Sequence, residues 1–530
     1  MEEGVLEEEE ARSVGVWAWL SLSSLLLGLL ALLWLRFHSQ QRNRQLLLLL
    51  PPGPSGLPWL GYLPWIDSRA PYETFAELSR RYGRIYSLKL GDMLAVFISD
   101  PQLVRQAFSR PVFSGRAPLY LTHGIMKGHG LICAEGESWR EHRRFVMNVM
   151  KQLGMAGRRG ASVMESRVMA GVLEFVHCQV TDGGVGGGVD LVPGLRHCIG
   201  NIINGVVFGR TYAADDPTWI WLQHLLDQGV KQVAVAGPIN FLPVLRFLPS
   251  YRKIMSFILD GQAETHRHYQ EIIDQRQLNL SANQGPDYTS VVEAYLLEMQ
   301  RRQSAGIPPE TFTTVQLHHV LADMFGAGTD TALTTIKWIV LYLILYPDVQ
   351  ERIHEEIERV VGQLDQGRIP CYATDARRMP WTEATICEVQ RLKTILPLGV
   401  PHGTLQDCEL AGYRIPKGAM VVPVWWAMNL DPTLWPEPLQ FRPERFLEEE
   451  EEKWRVEKPE HFLPFQCGRR MCIGDDLGRT LIFLFTVTLL QHFRLSFPPQ
   501  FTDYSATNFP QPDYGFTLVP HPYPVALHPR

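Results

Sequence analysis

Five hundred and thirty residues, 45% hydrophobic and 20% charged, make one large globular enzyme domain or a few smaller ones and exclude a wholly disordered chain. Fifty Lys and Arg against 56 Asp and Glu leave a net charge of −6, which gives no general electrostatic hold on nucleic acid. Eight cysteines are too few for a disulfide scaffold and fit reduced thiols facing the cytosol.

Residues 1–12 hold six glutamates and one arginine, and residues 13–35 then run 23 positions without a charge. As a helix this run is roughly 34 Å long, enough to cross a hydrocarbon core. Trp17, Trp19 and Trp34 sit near its ends, where interfacial aromatics belong. Arg36, Arg42 and Arg44 follow, so the positive-inside rule puts residues 1–12 in the lumen and the rest in the cytosol. A cleaved signal peptide would instead start basic and carry a shorter apolar run. Residues 36–55 form a basic, proline-rich hinge ending in the stiff Pro51-Pro52-Gly53-Pro54. Residues 56–530 read as one mainly helical domain with a small sheet.

Within it, residues 72–82 predict an amphipathic helix, and 85–90 and 95–98 short strands around the Gly91-Asp92 turn. Longer 3.6-period patterns cover 163–176, 255–276, 314–345, 347–361 and 381–393. The glycine-rich stretch 183–188 reads as a loop, as does the five-glutamate run 448–452. No Walker motif is present. Gly326-Ala327-Gly328 lacks the third glycine and preceding strand of a dinucleotide fold, so no nicotinamide site is expected.

Residues 465–474 (FQCGRRMCIG) form a glycine-rich loop ahead of an apolar helix, which puts Cys472 beside a helix N-terminus. Free N–H groups and the helix dipole there favour a thiolate, and such a thiolate can ligate haem iron. A buried structural thiol, a Cys467–Cys472 disulfide or a zinc pair are the competing readings.

The loop resembles the F-x-x-G-x-R-x-C-x-G haem-binding signature of the cytochrome P450 superfamily, through Phe465, Gly468, Arg470, Cys472 and Gly474. The resemblance implies haem b with Cys472 as axial thiolate ligand and Arg470 on a haem propionate. It extends to Glu388 and Arg391, an i, i+3 pair 84 residues before Cys472, with Arg445 of a PERF-like segment between. Four other E-x-x-R strings, starting at Glu141, Glu264, Glu298 and Glu356, read as surface pairs.

Ala327-Gly328-Thr329-Asp330-Thr331 resembles the family's A-G-x-D/E-T motif, which implies that Asp330 and Thr331 relay protons during dioxygen activation. A mid-helix Thr otherwise bonds its own i−4 carbonyl. Trp139 and Arg143 match a W-x-x-x-R motif facing the propionates, and His402 matches a further propionate partner of the microsomal branch. Ala332, Gly478 and Leu481 depart from the family pattern without touching the lead Thr.

Residues 51–69, 115–126, 240–248, 319–331 and 400–403 resemble the arthropod Phantom-type branch, whose members hydroxylate carbon 25 of an ecdysteroid side chain. The expectation is therefore a single-pass endoplasmic reticulum monooxygenase with a cytosolic catalytic domain. It would use O2 and electrons from NADPH-cytochrome P450 reductase, with cytochrome b5 as an optional second donor, on a lipophilic steroid. Hydroxylation of a xenobiotic or fatty acid is the alternative reaction, and a non-catalytic haem- or steroid-binding membrane protein the alternative class. Leu119, Ile125, Phe325, Leu398, Val400, Phe516 and Leu518 are candidate liners of an apolar site, and Thr122, His123 and Asn240 candidate contacts for steroid oxygens.

Overall fold

The computed structural model describes residues 49–530 apart from 156–162, 182–187, 233–236, 283–287, 309, 365–367, 451–452, 507, 509 and 516. The expected anchor at 13–35, the acidic tail, most of the hinge and Phe516 lie outside the described residues. The chain divides into two compact units. In the smaller, the described residues 49–51 join Glu409–Ile415, where Arg414 N donates to Leu49 O at 2.8 Å. The larger unit holds Pro52–Cys408 and Pro416–Arg530 and is mainly helical.

Its longer helices are α1 (Pro71–Tyr82), α2 (Pro101–Ser109), α3 (Gly136–Met150), α4 (Val163–Thr181), α5 (Val192–Val207), α6 (Pro217–Gln232), α7 (Pro249–Ala282), α8 (Val291–Ser304), α9 (Thr314–Leu345), α10 (Pro347–Val360), α11 (Pro380–Leu392) and α12 (Asp475–His492). The one five-stranded sheet combines β1 (Ile85–Leu90), β2 (Met93–Ile98), β3 (Gly115–Arg116), β4 (His402–Gly403) and β5 (Met420–Pro423) in the order β1-β2-β5-β4-β3. Pro at the first helical turn opens α1, α2, α10 and α11, where its missing N–H is not needed. Pro347 also ends α9, because the residue before it, Tyr346, adopts an extended ψ of 73°.

Packing of α9 against α5, α11 and α12 builds the main core. Among the described residues α9 alone is long and apolar enough to cross a membrane, and it is mostly buried in this core. A second cluster seats α1 on β1, β2 and β5. The expected helices and strands are all present, with α7 longer at both ends than its periodicity suggests.

Two loop expectations need correction. Residues 448–450 belong to a strand (Leu447–Glu450) paired with Lys453–Val456, because Arg455 on the second strand meets Glu448 at 2.5 Å and Glu450 at 3.1 Å on the first. Gly188 begins a short strand whose partner is Ala526, while 183–187 are outside the described residues.

Candidate functional site

A cavity of about 280 Å3 in the larger unit is lined by residues from β3, α3, the stretch 131–132, α5, α9, the stretch 394–396 and the loop and first turns of α12, among others. Met324, Ala327, Gly328, Thr331, Ala332 and Thr335 of α9 face it, a single stripe at helical spacing. Gly328 is small for a reason, since a Cβ there would meet Ile203 Cδ1 of α5 at 3.1 Å.

Cys472 lines the same cavity. Its loop turns tightly at Gly468, φ +78°, where a Cβ would lie 2.3 Å from the Phe108 carbonyl oxygen, so only glycine fits. Cys472 N donates to Phe465 O at 3.0 Å, and Arg143 Nη2 donates to Met471 O at 2.7 Å. The solvent-accessible face of Cys472 opens into the cavity, deep inside the protein. Burial pushes its thiol above the ordinary range, opposed by the Gly474 backbone and by Arg143 and Arg479. A bound metal ion would favour the thiolate through its own charge. Cys467 is also a free thiol, is buried, and does not line the cavity.

Basic side chains collect at one end. Trp139 and Arg143, one turn apart on α3, both line the cavity, as do Arg470 and Arg116. Arg470 lies over the Trp139 ring at 4.2 Å and donates to the carbonyls of Ser114 (2.9 Å) and Ala134 (2.5 Å). Arg116 donates to Ile132 O at 2.6 Å. Among the described residues neither guanidinium forms an ion pair with a carboxylate; burial pulls Arg116 down to about 10 and Arg470 to about 8. Strand register sets Arg116 opposite His402. His402 stacks on Phe108 with ring centroids 3.7 Å apart, and its Nδ1 lies 2.8 Å from Phe113 O. Among the described residues its buried Nε2 has no hydrogen-bond partner. His402 stands behind the cavity wall rather than in it.

This arrangement fits haem b. Buried cations held only by carbonyls, plus an orphaned imidazole nitrogen, call for a dianion such as the two propionates. Among the described residues Cys472 is the one thiol lining this cavity, where it could meet the iron.

Three site expectations change. Asp330 does not line the cavity; its Oδ2 accepts from Thr517 Oγ1 at 2.8 Å, because adjacent helical residues point about 100° apart. Thr331 does face the cavity while its Oγ1 donates to Ala327 O at 2.7 Å. Of the described candidate liners only Val400 reaches the cavity; Leu119, Leu398 and Leu518 pack in the sheet-side core, Phe325 in the main core, and Ile125 is buried elsewhere. The candidate steroid contacts have protein partners instead. Thr122 Oγ1 donates to Ala117 O at 2.8 Å, Asn240 Oδ1 accepts from Leu121 N at 3.0 Å, and His123 Nε2 is 3.9 Å from Glu135.

The bracing triad is as expected: Arg391 meets Glu388 at 2.7 Å and Arg445 meets it at 2.9 Å, with Glu388 and Arg391 fully buried. Glu141 is not a pair with Arg144; it bonds Arg302 at 2.6 Å and tethers α3 to α8. Sequence reasoning missed Asp323, a buried cavity residue that burial pushes up to about 6. Its signal was an acid in an apolar helix, at i, i+4 and i+8 with Ala327 and Thr331.

The family model described as Cytochrome P450 matches residues 51–527. Cytochrome P450 306a1 of Drosophila melanogaster is 38% identical, over 95% of this chain and 93% of its own length. Cytochrome P450 18a1 of the same fly is 34% identical, covering 95% and 91%. Human Cytochrome P450 2D6 is 33% identical, covering 91% and 93%.

Proposed function

Because this chain belongs to the cytochrome P450 family, whose members are monooxygenases that bind haem b through a cysteine thiolate, we propose that Cys472 is the thiolate ligand and that the cavity is the reaction chamber. The supporting observation is that Cys472 and Thr331 line one cavity, with Arg116, Arg143, Arg470 and Trp139 gathered at its edge. These four, with His402 behind Arg116, would hold the propionates; Phe465 lines the cavity beside Cys472. When bound, haem supplies the dioxygen chemistry: substrate R–H, O2, two electrons and two protons give R–OH and water.

The chain's own residues do the rest. The apolar stripe of α9 excludes water from the substrate carbon and orients it. The Thr331 hydroxyl donates to Ala327 O and presents its acceptor lone pairs to the cavity, and Asp330 feeds protons to that helix segment from behind. Residues 13–35 anchor the protein in the endoplasmic reticulum membrane, with residues 1–12 lumenal and the catalytic domain, 56–530, cytosolic. Electrons come from NADPH-cytochrome P450 reductase, with cytochrome b5 as a second donor.

The substrate is an ecdysteroid precursor, hydroxylated at carbon 25. Strings 115–126 and 240–248, which resemble the Phantom-type branch, support this reading, and the hydrogen bond between Leu121 and Asn240 joins them into one substructure. An apolar pocket discriminates a methylene by only about 1–3 kcal/mol, so regiochemistry rests on holding the whole molecule in one orientation. Reconstituted enzyme, reductase and a precursor lacking the carbon-25 hydroxyl should give a product whose new oxygen maps to carbon 25 by mass spectrometry and NMR. Oxidation of the ring system, or turnover of drugs and fatty acids but not the steroid, refutes it.

A further inference from the structure

Tyr295 of α8 is fully buried, and its hydroxyl lies 3.0 Å from Nε2 of His142 on α3, which is also fully buried. The other imidazole nitrogen, Nδ1, lies 2.8 Å from Ser138 O. A carbonyl oxygen only accepts, so Nδ1 carries the ring hydrogen. Burial pulls the His142 pKa down and keeps the ring neutral. Its Nε2 is then a bare lone pair, and Tyr295 donates its O–H to it. The competing acceptor, Thr313 O, is farther away at 3.5 Å. Burial also pushes the phenol up, so it stays protonated at neutral pH.

Aromatic rings enclose the pair. Phe312 lies 4.5 Å from the His142 ring and 4.8 Å from the Tyr295 ring, between centroids. Phe145 stands edge-on to Tyr295 at 5.6 Å and to Phe312 at 5.2 Å. In such a cage the hydrogen bond is stronger than in water. Trp139 precedes His142 by three residues on α3, a spacing that makes side chains neighbours, about 5–6 Å apart at Cβ. Trp139 lines the cavity and lies 4.2 Å from the Arg470 guanidinium. The phenol and imidazole thus sit within about one helical turn of the chamber wall.

Hydroxylation leaves this pair unused. A phenol whose O–H points at a free lone pair releases an electron readily, because the proton shifts with it and no phenol cation is left in an apolar cage. The positive charge then falls on His142, beside Glu141, whose carboxylate favours it.

We propose that Tyr295 is a redox-active tyrosine that drains oxidising equivalents from the haem site when no substrate consumes them. One electron passes from the Tyr295 phenol across α3, by way of Trp139, to the oxidised haem. The phenol O–H breaks and its proton moves to His142 Nε2, leaving a neutral tyrosyl radical and an imidazolium. One electron from the reductase and return of that proton restore the phenol. The inference rests on the reading that haem b occupies the cavity.

Freeze-quenched electron paramagnetic resonance of the ferric holoenzyme tests it, with peracetic acid as oxidant and no substrate. Wild type should give a tyrosyl radical whose hyperfine lines narrow when ring-deuterated tyrosine is incorporated. Tyr295→Phe removes only the hydroxyl and should lose that signal, and its Soret band should bleach faster under the oxidant. His142→Gln still accepts the hydrogen bond but cannot hold the proton, and should lose the signal as well. Carbon monoxide difference spectra establish beforehand that each protein carries haem. If Tyr295→Phe fails to hold haem, His142→Gln decides. A tyrosyl signal unchanged in either variant, or absent from haem-loaded wild type, overturns the proposal and leaves the haem reading standing. A wild-type protein that binds no haem overturns both.

Discussion

Asp323 and Arg116 grip Ile132 from opposite sides: Asp323 Oδ2 accepts from Ile132 N at 2.8 Å, and Arg116 Nε donates to Ile132 O at 2.6 Å. The same Asp323 oxygen accepts from Leu131 N at 2.6 Å. The central helix and the arginine cluster are therefore mechanically linked through two residues of backbone.

Asp323→Ala leaves two buried amides without acceptors, at about 1–3 kcal/mol each. The expected result is a lower melting temperature and faster haem loss. Asp323→Asn retains an acceptor oxygen and should lie close to wild type. Differential scanning calorimetry and haem transfer to an apo-globin measure both.

Thr331→Ala should keep haem and substrate binding, because only one hydroxyl facing the cavity is removed. Proton delivery commonly contributes about 10²–10⁴-fold, so product formation should drop sharply while NADPH consumption continues and hydrogen peroxide accumulates. Unchanged coupling would reject the role.

Glu388→Ala should prevent folding or haem retention. Breaking a fully buried ion pair costs about 3–5 kcal/mol because the partner charge is left uncompensated, and here Arg391 and Arg445 both lose their carboxylate. Glu264→Ala, in an exposed pair of the same spacing, should leave stability unchanged. Chemical denaturation of the two variants separates the cases.

Acid should weaken the fold through a histidine cluster. His266 lies 4.9 Å from both His318 and His319 between ring centroids, and His129 lies 5.3 Å from His319. Burial first, and then neighbouring imidazoles, pull His318 and His319 down to about 4. Unfolded, each titrates near about 6.5, so between about pH 6.5 and pH 4 the unfolded chain binds more protons and stability falls as pH falls. Asp323, raised to about 6, acts in the opposite sense between about pH 6 and pH 4 but is a single group. Urea midpoints should drop from pH 7 to about pH 5, with a shallower slope in His318→Gln and His319→Gln.

Helix α9 was legible to the residue, because its apolar period, the Thr313 N-cap and Pro347 all mark the same span. Cys472, Arg470, Trp139 and Arg143 were legible because fixed spacing carries them. Arg116 and Asp323 were not, since their importance comes from a strand pairing and from contacts 191 and 192 residues apart in sequence. Asp330 shows the same limit. Its neighbour in sequence faces the cavity, but its partner Thr517 lies 187 residues away. Apart from Val400, the described pocket liners failed for a related reason: an apolar residue such as Leu518 fits a core or a cavity equally well on composition.

The assignment of Cys472 as the haem ligand is tested most directly by the spectrum of reduced protein under carbon monoxide. Wild type and Cys467→Ser should show the strongly red-shifted Soret band of thiolate ligation, and Cys472→His should lose it. A thiolate band that survives in Cys472→His would contradict the account.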